Sequence, residues 1–587
     1  MVAKEAERHS TTTVTVEERQ TLALRFFAFW RWLIVRHGGA LVVFTAVYLA
    51  VSWPLALHFS DSIIGAVKSD GWLEVEQFWW YKHSLIDLHI SPFFDSQFFY
   101  PAGWNILTGS HSPSLIIPTI PLTVIFGPIM AYNMVMALGF LLAAVGTYAL
   151  VYRLTRDRLA GTLSGIAYAF TMTRLFRIGG HINVLVGSAW IPWVFFCIEM
   201  GRMAENGRKQ TRWFILAGVF YAAAVLSYFY YIYIVAIPLA AYLLWYVWQQ
   251  RGERNRLSRS LKHSVWLFGA AAVLVTPFAL PVLLLRRQMA IEAYPLEATV
   301  SFGISPDRLL LPNLFHPLWG QWFAARFSHA GEQTAIFLGL TAVFLFILAF
   351  FRPVHARRTG YALVALAAFV AGLGPELHWN AQSLGIPMPG LLLFRYVPFY
   401  SVIRVWARFS IVISFAVAVV AGFSVAYFRP RWRWGTAVSL LLLGFVILES
   451  FGQPFPVVSS QTMEREVDFW LAEQPEGTAI LELPLNYRIN GSLHYSRMLH
   501  NQANVSGYAV AMPEPFRDNV ANFSTFPNQE TVQVLSEWGV DYLLYSTTNV
   551  AEFTAFTLPQ IEALSGLSLV ADFGGHAYER VFVFAID

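Results

Sequence analysis

One rhythm constrains this chain more than any other feature. About eleven apolar stretches of roughly 15–24 residues recur along it, each close to the ~20 residues a helix needs to cross the hydrocarbon of a bilayer. They lie at about 39–58, 130–152, 159–176, 184–201, 213–228, 231–248, 264–285, 334–351, 360–375, 407–427 and 435–452. A further stretch, 114–128, is interrupted by prolines and is expected to be half-buried or re-entrant. The chain is 13% charged, against about 25% for soluble domains. The expected fold is an α-helical polytopic membrane protein with about eleven transmembrane helices.

The basic residues give the orientation. Arg25, Arg31 and Arg36 precede the first stretch. Arg153, Arg156 and Arg158 follow the second, and Arg202, Arg208, Lys209 and Arg212 follow the fourth. Arg251 to Lys262 follow the sixth, Arg352, Arg357 and Arg358 the eighth, and Arg429, Arg431 and Arg433 the tenth. Cytoplasmic loops carry the excess of Lys and Arg. Residues 1–38 are therefore expected as a cytoplasmic tail, 39–452 as the transmembrane domain, and the C-terminus outside. After about Ser450 the composition becomes that of a soluble α/β domain. TAILELPL and DYLLYS read as strands, VDFWLAEQPEG and ETVQVLSEWGV as helices, and LSLVADFGG with AYERVFVFAID as a closing hairpin. Residues 453–587 are expected as an extracytoplasmic α/β domain.

The long loops all fall on the outer side, at 59–113, 286–333 and 376–406. Long ordered loops usually carry function. The first is acidic and aromatic, with Asp61, Asp70, Glu74, Glu76, Asp87 and Asp95 among Trp72, Trp79, Trp80 and several Phe. Residues 72–89 have apolar residues at helical spacing and are expected as an amphipathic helix on the membrane interface. Asp70-Gly71 reads as a turn before it. Asp70 is then either a helix N-cap or a carboxylate that takes a proton from an attacking hydroxyl. Glu74, Glu76, Asp61 and Asp95 read as solvated acids. Trp79 and Trp80 are candidate binding residues.

A second set of candidates is basic and also outer. Arg174 and Arg177 end the third stretch, before Gly179-Gly180-His181. Arg404 and Arg408, at i,i+4 spacing, are expected on one helix face, where two guanidinium forks can hold a phosphate or snorkel to headgroups. His111, His181 and His316 lie in outer loops, and Glu332 opens the eighth stretch as GEQTAIFLG. These can bind substrate or serve as loop hydrogen bonders and helix caps. The chain has no P-loop, no strand-linked GxGxxG and no GxSxG elbow, which argues against ATP-driven transport. Its one cysteine, Cys197, excludes an internal disulfide.

Several stretches, taken in order, resemble a known family. They are SDGWLEVEQFWWYKHSL, SPFFDSQFFYPAGWNI, LAGTLSGIAYAFTMTRLFRIGGHINVLVGSAWIPW, GEQTAIFLGL, LGIPMPGLLLFRYVPFYSVIRVWARF, LHNQANVSGYAVAMP and LSEWGVDYLLYS. Together they are similar to the polytopic C-type glycosyltransferases, in particular bacterial integral-membrane members of the dolichyl-phosphate-mannose-transferase-like kind. The resemblance implies a polyprenyl-phosphate-linked sugar donor and a glycan, lipid or protein acceptor on the outer face. It implies transfer by a displacement that inverts the anomeric centre. It also implies an essential Asp in the first outer loop, a position that Asp70 matches. Many members pair two acids there, whereas Asp70 stands between Ser69 and Gly71. A divalent metal ion is the one cofactor the resemblance allows, and that departure weighs against it bridging two acids. Arg404 and Arg408 fit the donor-phosphate role by charge and location.

Two other classes stand beside this reading: a polytopic transporter or lipid flippase, and a membrane scaffold presenting the C-terminal domain. A transporter needs a path open to both sides, with ionisable groups near the bilayer midplane. Here the ionisable residues cluster at the ends of the stretches. A transferase needs Asp70 and the arginines to converge on one cavity.

Overall fold

The apolar stretches fold as helices because only a helix satisfies every backbone N–H and C=O where water is absent. The computed structural model describes residues 37–67, 69–109, 112–285, 294–312, 314, 316–327, 335–452, 456–485, 491–507, 512–574 and 579–587. Most of the expected N-terminal tail, together with His111 and Glu332, lies outside these residues.

Among the described residues, five helices are long and apolar enough to cross a membrane: Pro128–Thr155, Ile182–Met203, Tyr231–Gln249, Arg254–Leu284 and Trp406–Arg431. His37–Val51, Leu340–Phe351, Arg358–Gly372 and Gly435–Glu449 are shorter apolar helices, as is Pro113–Phe126 over the proline-interrupted stretch. Arg158–Ala169 and Gly207–Ser227 cover the remaining two stretches.

The core is organised on the helix Ser410–Phe428, which is buried from Ser410 to Val425. Its small residues let neighbouring backbones approach closely, the usual means of packing helices where lipid tails are as apolar as leucine. At Gly422 a β-carbon would run into Ser164 and Val151. The helices Arg158–Ala169, Leu340–Phe351 and Arg358–Gly372 pack around it. Asp157 caps the first of these, accepting from the backbone N–H groups of Leu159 (3.0 Å) and Ala160 (3.1 Å). It also accepts from Arg429 Nε at 2.6 Å, while Glu199 accepts from Arg357 Nε at 3.0 Å. These two ion pairs join connections from the set read as basic loops.

The first outer loop departs from its expected form. The helix runs Asp70–Lys82 with Ser69 as its N-cap, so Asp70 opens the helix and Gly71 lies inside it. It is no interfacial helix with one wet face. Trp72, Glu74, Val75, Glu76, Gln77, Phe78, Trp80 and Tyr81 are all buried. Asp95 is buried too, while Asp61 stays exposed. Phe78 packs on Tyr132 of the helix Pro128–Thr155, whereas Trp72, Glu76 and Asp95 are covered by the C-terminal part of the chain.

That part holds a five-stranded sheet in the order Leu567–Gly574, Arg580–Ile586, Tyr542–Thr547, Ala479–Leu483, Ala503–Asn504. The first three strands are antiparallel, and the last two join in parallel. The strands Ala479–Leu483 and Tyr542–Thr547 and the closing hairpin lie where the sequence predicts them, while Ala503–Asn504 is an addition. The first loop continues the sheet past its Ala503–Asn504 edge. Asn504 donates from its N–H to the Gln97 carbonyl (2.7 Å), and Tyr100 donates to the Asn504 carbonyl (3.1 Å). Ser62–Ile64 pairs antiparallel with Val457–Ser459. The loop and the C-terminal domain therefore share a backbone hydrogen-bond network.

Candidate active site

A cavity of about 330 Å³ opens beside the start of the first-loop helix. Asp70 and Glu74 line it, one helical turn apart on one face. His181, Tyr228, Tyr230, Arg404 and Arg408 line it from other segments. Tyr294 and Phe302 also contribute. Every one of these residues comes from a connection, or a helix end beside it, that the charge pattern assigns to the outer side.

Local geometry explains how they meet. Gly180 has φ +143, and a β-carbon there would press on the Gly71 nitrogen at 3.1 Å and on Asp70 Cβ at 3.3 Å. Only glycine allows this approach, and it carries His181 to Asp70. His181 Nε2 lies 3.9 Å from Asp70 Oδ2, and both side chains are about one-third exposed (31% and 37%). Asp70 thus faces the cavity with water access and a basic neighbour.

Arg404 and Arg408 reach the cavity, but not from one helix face. Arg404 precedes the short 3-10 turn Trp406–Phe409, and the long helix begins only at Ser410. The i,i+4 expectation fails because the chain is extended at Val405 before it turns. The arginines are held by aromatic rings instead. The Arg404 guanidinium lies 4.8 Å from the Phe302 ring centroid, and that of Arg408 lies 5.1 and 5.3 Å from Tyr228 and Tyr230. Arg408 Nη1 donates to the Tyr228 hydroxyl. Arg408 is 5% exposed.

The other candidates lie elsewhere. Arg174 is fully buried and serves the helix bundle. Its Nε donates to the Ala169 carbonyl (3.1 Å), Nη1 to Leu185 (3.1 Å) and Nη2 to Gly139 (2.8 Å). Arg177 is buried beside the Phe176 ring and does not line the cavity. His316 stacks on Trp319 and pairs through Nε2 with the Leu448 carbonyl at 2.9 Å. Trp79 and Trp80 lie against Arg497, away from the cavity, and Trp80 Nε1 donates to the Pro92 carbonyl at 2.9 Å.

Sequence reasoning passed over Glu74 and the tyrosines of SYFYY. Glu74 reads as a solvated acid because it stands next to polar Asp70 and Glu76, yet burial first, and the nearby Asp70 charge second, push its carboxyl well above the ordinary range. The tyrosines look like a bare connector between two helices. Their density at an outer turn was the available signal.

The donor set does not fit a divalent cation. Among the described residues no group of three or more His, Cys, Asp or Glu is placed to hold one. At the cavity, the acids Asp70 and Glu74 share the lining with two guanidiniums, Arg404 and Arg408. No step below passes through a metal ion.

No protein-family model matches the chain, and no curated protein matches it by sequence. Solved structures do. The Archaeoglobus fulgidus oligosaccharyltransferase in its apo form superposes with a TM-score of 0.52 at 14% identity, over 92% of this chain and 74% of that one. The arabinofuranosyltransferase AftD from Mycobacteria gives 0.60 at 14% identity, over 95% of this chain and 40% of AftD. ArnT from Cupriavidus metallidurans bound to undecaprenyl phosphate gives 0.50 at 12% identity, over 94% of this chain and 98% of ArnT. This chain has the C-type glycosyltransferase fold. The cavity lies between the first-loop helix Asp70–Lys82, the turns around His181 and Tyr228–Tyr230, and the connection that carries Arg404 and Arg408.

Proposed function

We propose that the protein is a membrane glycosyltransferase. It takes a sugar from a polyprenyl-phosphate-linked donor and transfers it, with inversion, to an acceptor hydroxyl on the extracytoplasmic face. The observation that carries this reading is one cavity lined by Asp70, with His181 3.9 Å from it, and by Arg404 and Arg408. The orientation follows from the basic loops at the opposite end of the bundle. The undecaprenyl phosphate of the ArnT structure supports the donor class.

The chemistry follows from the charges. The donor's polyprenyl tail stays in lipid while its phosphate enters between the two guanidiniums, whose planar forks suit phosphate oxygens. Asp70, as the carboxylate, accepts the proton of the acceptor hydroxyl as that oxygen attacks the anomeric carbon. The bond from the anomeric carbon to the phosphate oxygen breaks, and its electron pair leaves with the polyprenyl phosphate. Arg404 and Arg408 offset the charge that develops there. His181 sits close enough to orient the Asp70 carboxylate. Attack from the face opposite the phosphate inverts the anomeric centre.

The test uses the full chain in lipid nanodiscs, offered a panel of polyprenyl-phosphate sugars with membrane-extract acceptors. Release of polyprenyl phosphate with label appearing in an acceptor is expected. Asp70→Asn keeps the shape and is expected to abolish transfer while retaining donor binding. Transfer by Asp70→Asn at the wild-type rate would overturn the assignment of the base. Movement of donor across the bilayer without any transfer would favour a flippase.

A further inference from the structure

Glu74 lines the same cavity as Asp70, Arg404 and Arg408, but it is 4% exposed. Most of its carboxyl is covered by protein, and the part left uncovered meets the cavity. Tyr132, from the long helix Pro128–Thr155, packs against the helix that carries Glu74, its hydroxyl 3.6 Å from where a β-carbon at Gly71 would stand. Asp70 and Glu74 share one helix face, so two full charges there would repel each other and compete for the two guanidiniums. Burial and the Asp70 charge both favour the neutral carboxyl at Glu74, in that order. A neutral carboxylic acid differs from a carboxylate in what it offers a ligand: it has one O–H donor. A sugar phosphate bound between the arginines has its phosphate oxygens already served. The oxygens left for a donor on the Asp70 side are those of the sugar.

We propose that Glu74 is a sugar-binding residue of the cavity, donating a hydrogen bond from its carboxyl O–H to an oxygen of the transferred sugar. This rests on the transferase reading and names how the same site recognises the sugar. It divides the two carboxyls of one helix face by role. Asp70 keeps its charge to accept a proton, and Glu74 keeps its proton to bind. The arrangement also leaves the cavity one negative charge facing two positive ones, which suits an anionic donor.

The experiment compares wild type, Glu74→Gln and Glu74→Ala in nanodiscs, with two probes: undecaprenyl phosphate and an undecaprenyl-phosphate monosaccharide. Glu74→Ala is expected to bind the sugar-bearing lipid about tenfold more weakly, as for a lost hydrogen bond to a buried group, while binding undecaprenyl phosphate as wild type does. Glu74→Gln keeps a neutral donor and is expected to stay within about threefold of wild type for both. Infrared difference spectra at neutral pH are expected to contain a carboxylic-acid C=O band that Glu74→Gln removes and that shifts when the sugar-bearing lipid is added. Equal loss for both probes in Glu74→Ala would overturn the proposal, as would the absence of that band. Failure of the transferase reading looks different. Wild type would then release no polyprenyl phosphate from any donor, whatever the Glu74 variants bind, whereas transfer with a band that does not move on adding the sugar-bearing lipid would overturn only the role of Glu74.

Discussion

Arg497 Nη1 lies 3.0 Å from Glu76 Oε1, joining residues 421 positions apart in the chain. The same nitrogen lies 2.5 Å from Asp95 Oδ2, and Nη2 donates to Gln97 Oε1 at 2.9 Å. The rings of Phe98 and Trp80 cover the guanidinium at 4.3 and 4.8 Å. Arg497, Glu76 and Asp95 are all buried. Glu76 sits on the helix that carries Asp70 and Glu74, and Arg497 sits on the C-terminal helix Gly491–His500. The C-terminal domain is thus joined by a buried clasp to the helix that carries Asp70 and Glu74, although none of its described residues lines the cavity itself.

Removing one partner of such a clasp is costly, because the charges left behind stay buried. Arg497→Met is expected to destabilise the protein by about 3–5 kcal/mol. Thermal unfolding in detergent reads this directly. A Glu76→Gln, Asp95→Asn, Arg497→Met triple variant is expected to regain most of the loss, since it removes the uncompensated charges. Wild-type unfolding in Arg497→Met would show that the clasp does not hold the domains together.

Arg404 and Arg408 make a sharper pair. Each can give charge-assisted hydrogen bonds to a phosphate, worth about 1.5–3 kcal/mol. Arg404→Ala and Arg408→Ala are each expected to weaken undecaprenyl phosphate binding about 10–100-fold. Arg408→Lys is not expected to rescue it, because an ammonium loses the planar stacking on Tyr228 and Tyr230. Scintillation-proximity binding of labelled lipid checks all three. Wild-type affinity in both alanine variants would remove the phosphate from this cavity.

Arg174 supplies the control. The charge pattern reads it on the same side as Arg404, but its donors are taken by the carbonyls of Gly139, Ala169 and Leu185. Arg174→Ala leaves those buried acceptors unserved, at a cost of about 1–3 kcal/mol for each unsatisfied group. The expected outcome is a lower unfolding temperature with unchanged lipid affinity in the folded fraction. Weaker lipid binding by folded protein would return Arg174 to the site.

The cases of Arg174 and Arg404 show what a sequence makes legible and what it withholds. Apolar length and loop charge locate helices and their ends, because both reflect one-dimensional solvation of a segment by lipid or water. Most strands of the C-terminal sheet were legible as short apolar runs, because burial of a segment is written in its own residues. Asp70 was found by the likeness of its loop to a family, and Arg404, Arg408 and His181 by charge at outer ends. Whether an outer arginine faces a cavity or a carbonyl depends on partners far along the chain, and nothing local in TRLFRIGG marks the difference. Glu74, Glu76 and Asp95 were misread for a related reason. Arg497 covers Glu76 and Asp95, and Glu74 lies near Tyr132 of the long helix, so no window around residue 75 contains their cover.

His500 makes the stability of the C-terminal domain depend on pH. His500 is buried, and that burial first, then the charges of Arg465 and Arg497, push its imidazole from the ordinary 6.5 down to about 3. The sign follows from proton binding. Between these values the unfolded chain holds a proton on His500 and the folded chain does not, so folding loses stability as pH falls below about 6.5 and is unaffected by this group above it. His500 Nδ1 accepts from the Gln502 N–H at 2.9 Å. His500→Asn keeps an acceptor there and removes the titration. Unfolding midpoints measured from pH 7 down to about 5, before most carboxylates titrate, are expected to fall in wild type and to fall less in His500→Asn. The window is chosen because Glu482, held below its ordinary range against its burial by Arg465, begins to matter only at lower pH. Parallel slopes for the two proteins would mean that His500 takes up its proton in the folded domain. The acid sensitivity would then have to come from another group.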